Sequence, residues 1–523
     1  MLVAPSQPRR TFACYPIHRH ASRMAAIPRS LPRICVALGL PTAAQLRQAA
    51  EREYKDGNSF FEFRLDHLRD PASALPVIRN LRDSSPEVYI LATCRHRLAH
   101  GGFSGPLSQQ IALLNAAAEH GAQLIDIEIE SLEQKVIVPP SIRESAALIV
   151  SYHNFRNTPA LDPVLRRMRR FPADGYKLAT TACKPSDNLR LVHLLRERQD
   201  IPLIALAMSE TGVVSRVLGP SLGSVFTYVA PGDHTGTAPG QVPGKLFRSL
   251  YRPEKLGRQS KVYGVIASPV AHSKSPLIHN RAFHARRVDA VYLPFLVQAQ
   301  QLSDWMKLAI SLPVSGFSVT IPHKQRILRH LDVVEPLARR IGAVNTVWRK
   351  GGKWRGTNTD ADGVLKPLCK HLRPANSSVL IVGYGGAARA AAFALSDARA
   401  HVTITGRNAT TAQSLARAVK GEAVTLADSQ RRHYDALLHA TPVGMFPDVK
   451  QCIFDDRIPA DIVLDMVYNP HETALLKEAK RQGCKVISGT EMLLEQAASQ
   501  FEIWTGESAP RVVMQAALGQ HGE

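Results

Sequence analysis

Acidic residues are scarce in this chain of 523 residues: 44 Asp and Glu stand against 65 Lys and Arg, for a net charge of +21. Aromatic residues make up only 6%. The arginines are spread through every segment, without the interleaved aromatics of a nucleic-acid-binding stripe, so no nucleic acid is expected as a partner and anionic small molecules are. No apolar run approaches the ~20 residues of a membrane-spanning helix, so no membrane partner is expected. The seven cysteines (Cys14, Cys35, Cys94, Cys183, Cys369, Cys452 and Cys484) contain no Cys-x-x-Cys pair. That argues against a disulfide framework or a metal site and for a reducing compartment. Residues 1–32 hold Arg9, Arg10, Arg19, Arg23 and Arg29, no acid and no apolar stretch of secretory-signal length. They are expected to form a disordered or transit-like extension, with a cytoplasmic location, or a plastid one if the segment is a transit peptide.

Apolar residues at 45% and charged residues at 21% are ordinary globular values. The length suits about three compact units. Between Arg33 and Leu250, short apolar runs begin near Ile34, Phe60, Val88, Leu124, Leu148, Tyr176, Leu203 and Val225. Each has the length of a buried strand, and amphipathic stretches such as Ser108–His120 and Pro185–Gln199 lie between them. Eight β-then-α units predict a (β/α)8 barrel over 33–251. Catalytic groups then cluster at the carboxyl ends of the strands, and polar residues are dense there: Glu62, Arg64 and Asp66, then Arg95, His153, Lys177 and Arg216. A lysine among apolar neighbours in GYKLAT is either ion-paired or a neutral amine able to attack a carbonyl. His153 suits a core position or a general acid/base. The arginines pair with Glu62, Asp66 and Glu210, or they bind a carboxylated substrate.

In order, FEFRLD, TCR with a following Gly-Gly, SYHNF, YKLAT, MSETGVVSR and APGQ resemble the type I 3-dehydroquinate dehydratases. The resemblance implies that Lys177 forms an imine with the ketone of 3-dehydroquinate. His153 would remove a proton and later protonate the departing hydroxyl. Arg216 would clamp the carboxylate, and Glu62, Arg64, Arg95, Thr237 and Gln241 would bind substrate, Thr237 standing where that family usually has Ser. The family also has Glu just before the Gly-Gly pair, expected to orient the histidine. Here that place is His100, before Gly101 and Gly102, so His153 either lacks its carboxylate partner or has Glu128 or Glu130 as a substitute.

The polar stretch 252–260 reads as a linker. Strand-like runs resume at Val262, Val291, Phe317 and Val347. Then VLIVGYGGAARAAAFAL gives a strand, a Gly-rich turn (Gly383, Gly385, Gly386, Ala387) and a helix, suited to a pyrophosphate at a helix N-terminus. The next strand ends at Arg407, with no acid at the ribose position, which favours NADP over NAD. HSKSP, FSVTIPHK, GAVNT, GTNTDADG, DMVYNP and GTEMLLEQA in order resemble the shikimate dehydrogenases. That family often has Asn where this chain has Ser318, and Asn-Arg-Thr where it has Gly-Arg-Asn. The resemblance implies a catalytic pair Lys324–Asp360. It also implies substrate contacts from Ser273, Ser275, Thr320, Asn345, Tyr468 and Gln496, and cofactor contacts from Thr441, Met466 and Gly489. It gives a two-domain α/β dehydrogenase: a substrate-binding part over 261–365 completed by 485–523, and a Rossmann-type NADP part over 366–484. Together the halves predict a bifunctional enzyme taking 3-dehydroquinate to 3-dehydroshikimate and then, with NADPH, to shikimate. The alternatives are a quinate/shikimate oxidoreductase using NAD, and a metabolite sensor without turnover.

Overall fold

Strands buried on both faces must be apolar throughout, except where a polar side chain has a partner inside. A computed structural model describes residues 25–519, apart from 233–235, 313 and 455. The expected N-terminal extension therefore lies outside the described residues as far as residue 24. Eight strands form the first sheet: β1 (Ile34–Leu38), β2 (Phe60–Arg64), β3 (Tyr89–Thr93), β4 (Leu124–Glu128), β5 (Ala147–His153), β6 (Gly175–Thr181), β7 (Leu203–Met208) and β8 (Thr227–Val229). All ladders are parallel, in the order β7-β6-β5-β4-β3-β2-β1-β8. β7 and β8 meet only through an isolated bridge, Leu203–Ser224, so the barrel is closed but for this seam. The expected (β/α)8 barrel is therefore present.

The two-residue period of the strands sorts their side chains. Ile34, Val36, Phe61 and Phe63 face the helix layer. Cys35, Phe60, Leu91, Leu124, Ile149 and Ile204 form the apolar floor of the lumen. One layer further along, Glu62, Asp126 and Lys177 are buried together inside. The stretch 252–260, expected as a linker, is packed: Pro253, Leu256 and Ser260 are buried. One hydrophobic core runs from the helix layer of the barrel through Tyr251 and Leu256 to Val262, Ile266 and Phe317 of the next sheet.

That second sheet holds β9 (Lys261–Ala267), β10 (Ala290–Leu296), β11 (Val314–Val319), β12 (Val333–Val334), β13 (Thr346–Lys350) and β14 (Lys353–Thr357), in the order β10-β9-β11-β13-β14-β12. β13 and β14 form a hairpin through Gly351 and Gly352, whose φ of 60° and 77° suit the twist of a two-residue turn. The third sheet holds β15 (Ser378–Val382), β16 (His401–Thr405), β17 (Glu422–Ala423), β18 (Tyr434–His439), β19 (Ala460–Asp465) and β20 (Lys485–Ile487). Its order, β17-β16-β15-β18-β19-β20, is parallel throughout and reverses between β15 and β18, the arrangement of a dinucleotide-binding sheet. The helix Gly489–Thr505 then returns to the second sheet, where Trp504 Nε1 donates to Val347 O at 3.0 Å.

His279, on the helix Ser275–Ala285, is fully buried, stacked at 4.5 Å on Tyr292, and neither ring nitrogen has a hydrogen-bond partner. Burial pulls its pKa down to about 3; the nearby Gln500 opposes this, but its amide is already bonded to Asn345, Thr346 and Ser318. The unfolded chain therefore takes up a proton near pH 6.5 that the folded chain refuses, and stability contributed by neutral His279 is lost as pH falls below 6.5. Hydrogen exchange in the helix Ser275–Ala285 should accelerate between pH 7 and 5 after correction for intrinsic rates, and His279→Leu should flatten that dependence. An unchanged slope in the variant would refute the assignment.

Candidate active sites

Eight residues expected at the barrel site (Glu62, Arg64, Arg95, His153, Lys177, Arg216, Thr237 and Gln241) line one cavity, together with Phe155, Met208 and Tyr228. Lys177 projects from the third position of the seven-residue β6, below the rim. Its Nζ lies 2.5 Å from Asp126 Oδ2 and 3.5 Å from Glu62 Oε1, and donates to Tyr228 Oη at 3.1 Å. Asp126 also accepts from Ser151 Oγ at 2.5 Å, and Glu62 from Thr93 Oγ1 at 2.9 Å. The lysine is thus ion-paired in the free chain, with Asp126 as its nearest carboxylate. The sequence reading had not singled out Asp126, although an acid in the otherwise apolar run LIDI was the available signal.

The three arginines differ. Arg64 is bidentate to Asp66, at 2.9 and 2.8 Å; these bonds outweigh burial and raise its pKa. Arg95 donates to His153 Nε2 at 2.8 Å. Arg216, on the helix Val213–Leu222, is fully buried, has no carboxylate partner among the described residues and reaches only the carbonyls of Tyr228 and Pro239, each at 3.4 Å. Burial lowers its pKa to about 10, which leaves it charged at neutral pH. Among the described residues, Lys177, Arg64, Arg95 and Arg216 stand with three carboxylates, Glu62, Asp66 and Asp126, an excess of one positive charge. Gln241 accepts from the N–H groups of Thr237 and Ala238, at 2.8 and 3.2 Å, and so shapes the loop that closes the cavity.

A guanidinium only donates, so His153 Nε2 accepts, and the neutral ring carries its proton on Nδ1. Nδ1 is buried without a partner. Burial, then Arg95, Lys177 and Arg64, push the His153 pKa well below 6.5. Neither expected replacement carboxylate bonds to this ring among the described residues. Glu128 Oε1 accepts instead from His96 N, Gln110 Nε2 and Ser131 Oγ, and Glu130 pairs with Arg167 at 3.7 Å. His153 is flanked by Phe155, near-parallel at 14° and 6.1 Å between centroids; His100 meets the same Phe155 edge-on at 5.4 Å. Gly101 and Gly102 follow because side chains there would meet Arg95 O at 2.0 Å and Asp66 O at 2.3 Å.

In the second site, Lys324 Nζ donates to Asp360 Oδ2 at 2.6 Å. Asn345 Nδ2 donates to Asp360 Oδ1 at 2.7 Å and to Gln496 Oε1 at 3.2 Å, which joins four of the expected residues in one cluster, buried but for the half-buried Lys324. Behind it, Tyr292 Oη donates to Ser318 Oγ (2.6 Å), which donates to Gln500 Oε1 (2.8 Å), and Gln500 holds Asn345 O. Ser318 thus serves as a relay in the scaffold. Ser275 begins the helix Ser275–Ala285, and its N–H donates to Ser273 Oγ at 3.4 Å. Thr320 follows β11 and Tyr468 follows β19, where burial raises the Tyr468 pKa; no hydrogen bond joins either side chain to the Lys324 cluster among the described residues.

A side chain on Gly386 would lie 3.5 Å from Lys324 Cδ, so the lysine crosses the start of the helix Gly386–Asp397. Gly383 has φ +122°, and a Cβ there would approach Ala440 O at 2.8 Å and Thr441 Cγ2 at 3.3 Å. Gly385 caps the helix with open space around its Cα, leaving the N–H groups of Gly386 and Ala387 free of any side-chain cap. This is a cradle for a pyrophosphate. Arg407 is exposed beyond the end of β16. Thr441 Oγ1 lies 2.5 Å from His439 Nε2, and His439 Nδ1 lies 2.8 Å from Asp465 Oδ1, a buried network that the sequence reading missed. Met466 follows directly, its N–H on His439 O. Gly489 is required by packing: a Cβ there would lie 2.3 Å from Val467 O.

Known families match both halves of the chain. The family model for type I 3-dehydroquinase matches residues 34–258. That for the shikimate dehydrogenase substrate binding domain matches 265–347, and that for the shikimate 5'-dehydrogenase C-terminal domain matches 489–518. The shikimate dehydrogenase (NADP(+)) of Shouchella clausii is 40% identical over 50% of this chain and 99% of its own length. A solved structure of shikimate 5-dehydrogenase from Thermus thermophilus, in complex with NADP(H) and shikimate, is 35% identical over 49% of this chain and 98% of that one, with a TM-score of 0.46. The bifunctional 3-dehydroquinate dehydratase/shikimate dehydrogenase of Arabidopsis thaliana, a chloroplastic protein, is 35% identical over 91% of this chain and 83% of its own. With a barrel built around a buried lysine and a Lys–Asp pair laid across a dinucleotide cradle, the chain belongs to the family of bifunctional 3-dehydroquinate dehydratase/shikimate dehydrogenases.

Proposed function

We propose that the barrel dehydrates 3-dehydroquinate through an imine on Lys177, and that the second site reduces the resulting 3-dehydroshikimate to shikimate with NADPH. The observation that carries this reading is the convergence of Lys177, His153 and the uncompensated Arg216 on one cavity. Arg216 and the excess positive charge hold the substrate carboxylate. Lys177 passes a proton to Asp126 and adds to the ketone; the carbinolamine hydroxyl takes that proton back from Asp126 and leaves as water, and the iminium forms. The adjacent carbon then loses a proton to His153, for which Arg95 must turn from Nε2 to a substrate oxygen. The hydroxyl departs as water, taking the proton that His153 received, and hydrolysis of the imine frees Lys177.

In the second site the cofactor supplies a hydride. Gly383, Gly385, Gly386 and Ala387 would hold its pyrophosphate and Arg407 its 2′-phosphate. Lys324, kept in place by Asp360, donates the proton that the reduced carbonyl oxygen requires, while Asn345 and Gln496 fix the substrate hydroxyls.

Borohydride reduction in the presence of 3-dehydroquinate should add ligand mass to the peptide containing Lys177; absence of an adduct would overturn the imine. Lys324→Gln should slow NADPH oxidation at least a hundredfold while 3-dehydroshikimate still accumulates from 3-dehydroquinate. Loss of both reactions would contradict two separate sites. Because His153 is held neutral, kcat/KM for dehydration should stay level as the pH falls through 6.5. His100→Glu, by bringing a carboxylate toward the ring, should move the acid limb upward; a parent limb at or above 6.5 would count against the base assignment. Arg407→Ala should raise KM for NADPH about tenfold and leave that for NADH unchanged, and equal NADP and NAD turnover in the parent would refute the cofactor preference.

A further inference from the structure

Asp304 belongs to the dehydrogenase half, near the start of the helix Leu302–Ser311. Its carboxylate reaches the barrel. Oδ2 accepts from Ser186 N at 2.8 Å, and Oδ1 from Ser186 Oγ at 2.6 Å. Ser186 immediately precedes the helix Asp187–Glu197 and caps none of that helix's N–H groups with its own side chain. A carboxylate from another unit thus sits where the helix start favours negative charge. Beside it, Gln301 Nε2 donates to Cys183 O at 3.2 Å. The segment clamped in this way, 182–187, leaves the end of β6, the strand that carries Lys177. It is stiff: Asp187 Oδ2 accepts from the N–H groups of Cys183 and Lys184, at 2.9 and 3.1 Å.

On its other side this segment supports the loop after β5. Thr181 Oγ1 donates to Asn154 O at 3.0 Å, Thr181 N donates to Asn157 O at 3.3 Å, and Cys183 Sγ lies 3.2 Å from Arg156 O. Phe155 lies between these anchored residues, stacked on His153. Among the described residues His153 has no carboxylate to fix its plane, and it is Arg95 and that phenyl ring that orient it. We infer that Asp304 is a positioning residue for the dehydratase: from the dehydrogenase half it fixes the 182–187 segment, and through it the loop that aligns His153 for proton transfer. This rests on the imine mechanism proposed above.

The test uses the full chain. Displacement of a catalytic ring by a fraction of an ångström costs about tenfold in rate, and it falls on the proton-transfer step rather than on binding. Asp304→Ala should therefore lower kcat for dehydration about tenfold with KM within twofold, and should increase the isotope effect for substrate deuterated at the carbon that loses its proton. Borohydride trapping on Lys177 and the reduction of 3-dehydroshikimate should be unchanged. Asp304→Asn, which keeps an oxygen acceptor for Ser186, should recover most of the rate. An unaltered dehydration rate and isotope effect in Asp304→Ala would overturn the inference. So would a parallel fall in trapping and in reduction, which would show a general loss of structure. A parent chain that does not dehydrate 3-dehydroquinate would overturn the mechanism itself, and the inference with it.

Discussion

Placing a lysine inside a barrel of parallel strands requires a carboxylate to go with it, because an ammonium and the carboxylates around it are each expensive to remove from water alone. Asp126 and Glu62 meet that requirement, and their positions on β4 and β2 are set by strand register and by the alternation of side chains into the lumen. The same constraint explains the rest of the cavity. Each further cation is neutralised by a neighbour, as Arg64 is by Asp66, or turned toward a neutral group, as Arg95 is toward His153, or left for a ligand, as Arg216 is. Among the described residues the four cations of the cavity outnumber its three carboxylates by one.

The second site solves a different problem with similar materials. Lys324 is held by a single carboxylate that is itself bonded to Asn345, so the pair is oriented as a unit on the substrate side of a glycine turn. A Cβ on Gly386 would stand 3.5 Å from Lys324 Cδ, an ordinary contact distance, so the lysine stem adjoins the first turn of the dinucleotide helix and the Lys–Asp pair lies beside the glycine turn.

Most of this was legible in the sequence because polar residues inside apolar runs are rare enough to stand out. Glu62, His153 and Lys177 were found in that way, and they converge. Asp126 carried the same signal but no motif drew attention to it, and its partner Ser151 belongs to a strand 25 residues away. Sequence left open whether His153 lacks a carboxylate partner or has Glu128 or Glu130 as a substitute, because side-chain direction is not encoded there: Glu128 points toward His96 and Gln110, and Glu130 toward Arg167. Two-residue strands such as β12 and β17 have no periodicity to read. The stretch 252–260 looked like a linker from its charges, while the few apolar residues that anchor it, Pro253 and Leu256, were too sparse to announce a core.

That anchoring has a consequence for how the two activities came to share a polypeptide. Where modules are strung on a supple tether, the path from one reaction centre to the next is a statistical average over tether shapes. Here a hydrophobic core crosses the junction, so the separation of the two reaction centres is a constant of the architecture, and dissecting the gene at its midpoint would lay bare apolar surface on both fragments.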